Sequence, residues 1–188
     1  MIDMNIEIMA PVGCWESLAA AIEAGATSVY FGIEHLNMRS RSSANFTTED
    51  LHTIVARCQA VGIKTYLTLN TVMYPEDLPL MQEIVDNAKL AGVSAIIASD
   101  IAALQYAYQQ GVEVHLSTQL NIANTEALKF YAQYADVVVL ARELNMDQVA
   151  SIHRDIIEQD IRGPKGELIR IEMFCHGALC MAISGKCY

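Results

Sequence analysis

Residues 92–100, Gly-Val-Ser-Ala-Ile-Ile-Ala-Ser-Asp, contain the unit from which the whole chain is built. The glycine ends a helical pattern, and the apolar run at residues 94–99 predicts a short strand. The run is apolar on both faces, which is typical of a strand that helices cover on both sides. Polar Asp100 then stands directly after the strand. This stretch therefore predicts one βα unit of a parallel sheet.

The same unit recurs along the chain, so seven strands are predicted. They lie at residues 6–11, 28–33, 64–70, 94–99, 113–118, 137–141 and 169–175. The six intervals between them carry apolar residues at helical spacing, with Thr47 and Asn145 as the clearest N-caps. Seven strands and six helices in βα order fit either an open doubly wound sheet or a nearly complete (β/α)8 barrel.

Two features favour the barrel. The residues after the first strand, Pro11-Val12-Gly13-Cys14, lack the glycine pattern of a dinucleotide-binding sheet, and polar residues follow most strands rather than a single pair. We therefore predict an α/β fold of the TIM-like (β/α) barrel class, incomplete in this chain. Residues 1–188 are expected to form a single domain that is truncated at its C-terminus. Without an eighth strand the sheet keeps an exposed edge, through which an oligomer or a partner chain is expected to form.

The composition restricts the location and the partners of the protein. Hydrophobic residues make up 53% of the chain and charged residues 18%, so the protein has a substantial core and is not disordered. The formal net charge of −10 opposes strong binding of this part of the protein to bulk RNA. No apolar run is long enough for a membrane span, and no signal peptide is recognised. A cytoplasmic location is expected.

Polar residues after the strands are the candidates for function, because the loops at that end of a TIM-like barrel form its active site. The candidate substrate-binding residues are Arg39, Arg41, Asn70, Gln119 and Asn121, and the candidate catalytic residues are Arg142, Glu143 and His176. A guanidinium group binds carboxylate or phosphate bidentately, so a small anionic molecule is the expected ligand.

Structural interpretations of these residues stay open at this point. For Arg142 the alternative to a ligand is an ion pair with Glu143 or Asp100. For the arginines of the loop at residues 38–43 the alternative is exposure to water. Asn70 and Gln119 end buried strands, where an amide also serves as a hydrogen-bonded residue of a packed layer. His115 lies inside a strand and is most simply a hydrogen-bonded core histidine.

Three of the five cysteines, Cys175, Cys180 and Cys187, lie in the last fourteen residues. Thiolates hold zinc and iron–sulfur clusters, which makes Cys180 and Cys187 candidate metal ligands. Their spacing is not the C-x2-C pattern of a zinc ribbon, and two thiolates do not complete a site that needs four ligands. Reduced structural thiols are the alternative.

Several segments, taken in order, resemble the U-thirty-two peptidase family of collagenase-like proteins. The most specific are Phe174-Cys175-His176-Gly177-Ala178-Leu179-Cys180 and Ser184-Gly185-Lys186-Cys187. Weaker similarity is found at residues 9–13, 24–32, 45–47, 117–124 and 140–144, so the resemblance covers essentially the whole chain.

The resemblance implies a barrel-like catalytic domain and, in some members, a [4Fe-4S] cluster held by four cysteines. Cys180 and Cys187 correspond to the first two ligands. The other two lie beyond Tyr188 in the family, so the cluster is not expected to be complete in this chain. Cys175 matches no ligand position. Relatives act in oxygen-independent hydroxylation of an RNA base or of the ubiquinone ring, with prephenate as the hydroxyl donor, although the family carries a protease label.

Three functions follow as hypotheses. The first is the core of an iron–sulfur hydroxylase that acts on RNA or a quinone precursor. Parts of the protein downstream of this chain would recognise that substrate. The second is a collagenase-like peptidase, and the third is a non-catalytic scaffold subunit. The first is favoured, because neither a nucleophile elbow nor an H-E-x-x-H motif is found.

Overall fold

The computed structural model describes residues 6–34, 36–37, 46–177 and 182–186. In these residues seven strands alternate with six α-helices, as predicted. The strands are β1 (Met9–Pro11), β2 (Ser28–Phe31), β3 (Lys64–Leu69), β4 (Ala95–Ala98), β5 (Val114–Leu116), β6 (Val137–Val139) and β7 (Arg170–Glu172). The helices are α1 (Trp15–Glu23), α2 (Thr48–Ala60), α3 (Leu78–Ala91), α4 (Ile101–Gln109), α5 (Thr125–Ala132) and α6 (Met146–Glu158).

The strand order in the sheet is the order of the sequence, β1 to β7. The chain divides into two compact units, Met1–Ile96 and Ile97–Tyr188. Strand β4 contains the boundary between them, so it contributes residues to both units. In the described part of the chain no helix is long and apolar enough to span a bilayer.

The first unit is built on parallel pairing of β1 with β2 and of β2 with β3. The backbone N–H of Ser94 donates to the carbonyl of Thr65 at 2.9 Å, which brings the chain alongside β3 before β4 begins. Helix α2 begins at the predicted cap, since the Thr47 hydroxyl accepts from the N–H of Asp50 at 3.3 Å. Its buried stripe is the predicted one, formed by Leu51, Ile54, Val55 and Cys58.

The second unit repeats this arrangement. The N–H of Ser117 donates to the carbonyl of Ala98 at 2.8 Å, and β5 pairs with β6 and β6 with β7 in parallel. Helix α6 begins at the predicted cap, where the Asn145 side chain accepts from the N–H of Gln148 at 2.9 Å. Its buried residues are Val149, Ile152 and Ile156. The N-caps and the apolar spacing thus predict both helices correctly.

All seven strands are shorter than predicted, and the outer two show how they end. Strand β1 begins at Met9 instead of residue 6, although the carbonyl of Ile8 still accepts from the backbone N–H groups of Thr27 and Ser28. Strand β7 ends at Glu172 instead of residue 175, and residues 173–177 are exposed. At β7 the apolar run continues past the last residues that pair with β6.

Candidate functional site

The segment at residues 182–186 packs against the ends of β5 and β6. Its central residue, Ser184, is fully buried, at 0% exposure. The backbone N–H of Ser184 donates to Oε1 of Glu143 at 2.8 Å. In return the Ser184 hydroxyl accepts from the backbone N–H of Arg142 at 3.3 Å and from its Nε at 3.4 Å. Two predicted site residues, Arg142 and Glu143, therefore hold this segment in place.

The turn that follows β5 also contacts the segment at residues 182–186. The Thr118 hydroxyl donates to the Ser184 hydroxyl at 3.4 Å. Gly185 has φ +78°, and a Cβ at this position would lie only 2.6 Å from the carbonyl oxygen of Gln119. Glycine is required here both by the left-handed backbone and by the close approach. We name Thr118, Arg142, Glu143, Ser184 and Gly185 the Ser184 anchor.

A short 3-10 turn, Thr118–Leu120, shapes the end of β5. The Ser117 hydroxyl caps it by accepting from the N–H of Gln119 at 3.3 Å. Asn121 ends the turn in the left-handed conformation, which asparagine tolerates better than most residues. Next along the chain, the carbonyl of Ile122 accepts from the N–H of Ala141 at 2.9 Å, so the loop after β5 is joined to the end of β6.

Arg142 also lies beside an aromatic ring. Its guanidinium carbon is 5.9 Å from the centroid of the Phe174 ring, which is 52% exposed. Arg142 therefore contacts both the Ser184 hydroxyl and the face of Phe174. A guanidinium held between a hydroxyl and a ring at the end of a strand is chemically suited to bind a carboxylate or a phosphate.

The surroundings of Glu143 favour its ionised form, because they lower its pKa. The hydrogen bond from the Ser184 N–H lowers the pKa of Glu143 below its usual value, and the charge of Arg142 adds to the effect. The predicted alternative, a pairing of Arg142 with Glu143, stays a prediction. A carboxylate that is ionised and engaged by a backbone N–H acts as an acceptor, not as a proton donor.

The remaining predicted site residues are distributed differently. His176 is exposed, and no hydrogen bond or ion pair joins it to another described residue. Gln119 is half-buried in the 3-10 turn and Asn121 is exposed after it, whereas Asn70 follows β3 in the first unit. Four predicted residues lie outside the described residues: Arg39, Arg41, Cys180 and Cys187.

In the first unit, side-chain hydrogen bonds are made at the end of β2. Glu34 has φ +49°, and its Oε1 accepts from the backbone N–H of Thr48 at 3.0 Å and from the Thr48 hydroxyl at 3.2 Å. Buried Asn37 donates to the carbonyls of Ile33 and Glu34, both at 3.3 Å. The bonds of Glu34 join the end of β2 to the start of α2, whereas those of Asn37 stay within residues 33–37.

A charged cluster lies at the other end of β5. Oε1 of Glu113 lies 2.7 Å from Nη2 of Arg170 and 3.2 Å from Nε2 of His115, and Oε2 contacts the ammonium group of Lys165. Burial alone would raise the pKa of Glu113, but hydrogen bonds from His115 and Lys165 outweigh it and lower the pKa to about 2. His115 is buried, so its prediction as a hydrogen-bonded core histidine is confirmed.

The described residues do not by themselves form a metal site. None of their His, Cys, Asp and Glu side chains are grouped in threes or more so as to hold an ion. The described cysteines, Cys14, Cys58 and Cys175, are free thiols, and burial raises the pKa of Cys58. Thiolates from Cys180 and Cys187 are the correct donor type for an iron–sulfur cluster, and they would supply two of its four ligands.

Sequence reasoning missed Ser184 and Thr118 as parts of the site. Ser184 stands beside a glycine in the segment that precedes Cys187, which is the one local signal that a buried, closely packed residue occurs there. Its partners are 41, 42 and 66 residues earlier in the chain, so no pattern at short range identifies them.

The fold has a clear counterpart among solved structures. The structure described as the U32 Peptidase Mk0906 superposes with a TM-score of 0.67 over 79% of this chain and 64% of that chain, at 15% identity. At this identity the similarity concerns the fold alone. The prediction of an incomplete TIM-like (β/α) barrel is confirmed by it together with the seven strands and six helices.

Curated relatives carry two kinds of name. A protein named Collagenase from Porphyromonas gingivalis is 67% identical over 98% of this chain and 44% of its own length. The tRNA hydroxylation protein P of Helicobacter pylori is 32% identical over 97% of this chain and 42% of its own length. This chain therefore spans less than half the length of these relatives. The sequence model of Peptidase family U32 matches residues 13–188, which include every residue of the Ser184 anchor, and the chain belongs to that family.

Proposed function

We propose that this chain is the barrel part of an iron–sulfur-dependent, oxygen-independent hydroxylase that acts on a base in RNA. A small anionic donor such as prephenate would bind at Arg142. The name of the Helicobacter pylori relative supports RNA over a quinone precursor as the substrate. The cytoplasm, where tRNA is modified, is the proposed location. Because the net charge of this part is −10, the rest of a longer protein would provide most of the RNA contacts.

One observation carries the proposal. In the Ser184 anchor the guanidinium suited to an anion is hydrogen-bonded, through Nε, to the segment that leads directly to Cys187. An anion bound at Arg142 would therefore lie close to the segment between the two proposed thiolate ligands. An enzyme that uses an anionic donor together with a metal cluster needs this proximity.

The roles of the chain's own residues follow from their contacts. Arg142 would bind and orient a carboxylate of the donor, and Phe174 would keep its guanidinium in place by a cation–π contact. Cys180 and Cys187 would hold a [4Fe-4S] cluster together with two further thiolates from outside this chain. When bound, such a cluster supplies electron transfer.

A peptidase is the second candidate, since the Porphyromonas gingivalis relative is named Collagenase. The described residues offer it little machinery. The buried hydroxyl of Ser184 contacts Arg142 and Thr118 instead of a histidine, and exposed Cys175 has no hydrogen bond to His176. A peptidase nucleophile requires an adjacent base. A scaffold role through the edge of β7 is the third candidate, and sedimentation of a strictly monomeric protein would contradict it.

The test uses the full-length protein in a host strain that lacks its gene. RNA nucleosides are quantified by mass spectrometry after complementation with the wild type, Arg142→Ala or Arg142→Lys. The control is Arg154→Ala, which removes an exposed arginine of α6. We expect the wild type and the control to restore a hydroxylated nucleoside that Arg142→Ala fails to restore. An RNA nucleoside profile that does not depend on the gene, combined with cleavage of gelatin by the purified protein, would replace this proposal by the peptidase.

A further inference from the structure

We infer that Glu143 and Ser184 are positioning residues that fix the segment bearing Cys187 for metal binding. The inference rests on the proposed function and extends it from the ligands to the residues that hold them. It assigns to Glu143 a role other than proton transfer, which is the role that a catalytic residue at a strand end usually suggests.

Burial and hydrogen bonding carry the first step. Ser184 is a polar residue with no exposed surface, and its hydroxyl and its backbone N–H both have partners on the ends of β5 and β6. Buried polar groups that are satisfied in this way hold a loop in one position, since leaving any of them without a partner is unfavourable. Residues 182–186 therefore have a defined place on the second unit.

Only a short length of chain separates Ser184 from Cys187. Cys187 is three residues after Ser184, and three residues span at most about 11 Å even when fully extended. The N–H of Lys186 donates to the carbonyl of Ile183 at 2.9 Å, so the segment turns at Gly185 and is shorter than this limit. The anchor thus restricts the region that the Cys187 thiolate can reach.

The acceptor for the Ser184 N–H is a carboxylate oxygen of Glu143. Glu143 is exposed, and its Oε1 is engaged by the Ser184 N–H at 2.8 Å. An amide oxygen in the same place would accept the same hydrogen bond, whereas a methyl group would not. A glutamine at position 143 should therefore preserve the positioning role, although it would abolish proton transfer by a carboxyl group.

The experiment measures iron retention instead of turnover. The full-length protein is purified without oxygen as wild type, Glu143→Ala, Glu143→Gln and Ser184→Ala. Iron, sulfide and the visible spectrum are recorded, and the release of iron to a chelator is followed with time. The matched control is Glu158→Ala, which removes an exposed glutamate at the end of α6. Circular dichroism verifies folding, and Glu143→Ala serves if Ser184→Ala does not fold.

We expect iron release from Glu143→Ala and Ser184→Ala to be about tenfold faster than from the wild type, as for other losses of a residue that supports a metal ligand. Glu143→Gln and Glu158→Ala should release iron at the wild-type rate. If the wild type holds iron and Glu143→Ala releases it equally slowly, the positioning role is wrong and the proposed function stands. A wild type that binds no iron and sulfide overturns both.

Discussion

Nε2 of His115 lies 3.2 Å from Oε1 of Glu113, two residues before it in the chain. The two side chains lie on the same side of the β5 backbone because side chains alternate along a strand. Lys165 and Arg170 complete the charge balance around this carboxylate. The arrangement makes Glu113 a residue of the second unit whose protonation should lower stability.

The pKa of Glu113 is lowered from 4.5 to about 2 in the folded protein, so its contribution to stability is fully present above pH 4.5 and is lost as the pH falls towards 2. The shift corresponds to at most about 3 kcal/mol, and screening at the half-exposed Lys165 and Arg170 reduces this to about 1–2 kcal/mol. Urea unfolding of the wild type and Glu113→Gln at pH 7, 4.5 and 3 measures it. We expect a steeper loss for the wild type, and parallel pH dependences would contradict this account.

Replacing Gly185 by alanine should loosen the Ser184 anchor. The new methyl group would lie 2.6 Å from the carbonyl oxygen of Gln119, and the backbone is in the left-handed region. Gly166→Ala is the control, since Gly166 also has φ +78° but no atom within 4 Å of the added carbon. Hydrogen exchange at the Ser184 amide should accelerate in Gly185→Ala alone. Equal acceleration in both variants would attribute the effect to backbone strain and not to the contact.

The buried face of α6 should account for much of the stability of the second unit. Ile152 is buried and Ile157 is 54% exposed on the same helix. Ile152→Ala creates a cavity and should lower the free energy of unfolding by about 2–4 kcal/mol, whereas Ile157→Ala should change it by less than about 0.5 kcal/mol. Denaturant unfolding of both variants measures the difference. Similar losses would mean that the helix is packed differently.

Two described thiols should differ in reactivity. Cys58 is fully buried and burial raises its pKa, while Cys175 is exposed. The thiolate is the reactive form, so an alkylating reagent should modify Cys175 in the folded protein and Cys58 only after unfolding. Peptide mass spectrometry after timed alkylation resolves the two sites. Modification of Cys58 at the same rate as Cys175 would show that α2 opens readily under native conditions.

The sequence predicts those features that depend on neighbouring residues. The caps Thr47 and Asn145 and the stripes of α2 and α6 are correct, because a cap and an apolar repeat act within a few residues. The strands are predicted too long, since an apolar run does not mark where pairing stops: Met173 and Phe174 continue the run of β7 but are exposed. Whether an apolar residue joins a sheet depends on a partner strand that is far away in the chain.

The same distinction applies to the site. The rule that function lies after the strands predicts that Arg142 and Glu143 matter, and the structure brings them together around one serine. It does not predict which partner each would take. Ser184 is 41 residues from Glu143, and its burial is a property of the packed loops and not of its own neighbours. A rule based on strand ends cannot identify a residue that arrives from a later loop.

The place of the Ser184 anchor in the chain has a consequence for biosynthesis. Its carboxylate and arginine are translated before β7, whereas the serine that joins them is translated after it. During synthesis these two side chains remain hydrated until residues 182–186 have left the ribosome, and Cys187 is the next but one residue to follow Gly185. The contact of these residues with Ser184 can therefore form only after all seven strands of this chain have been translated, which makes it a late step in the folding of the second unit.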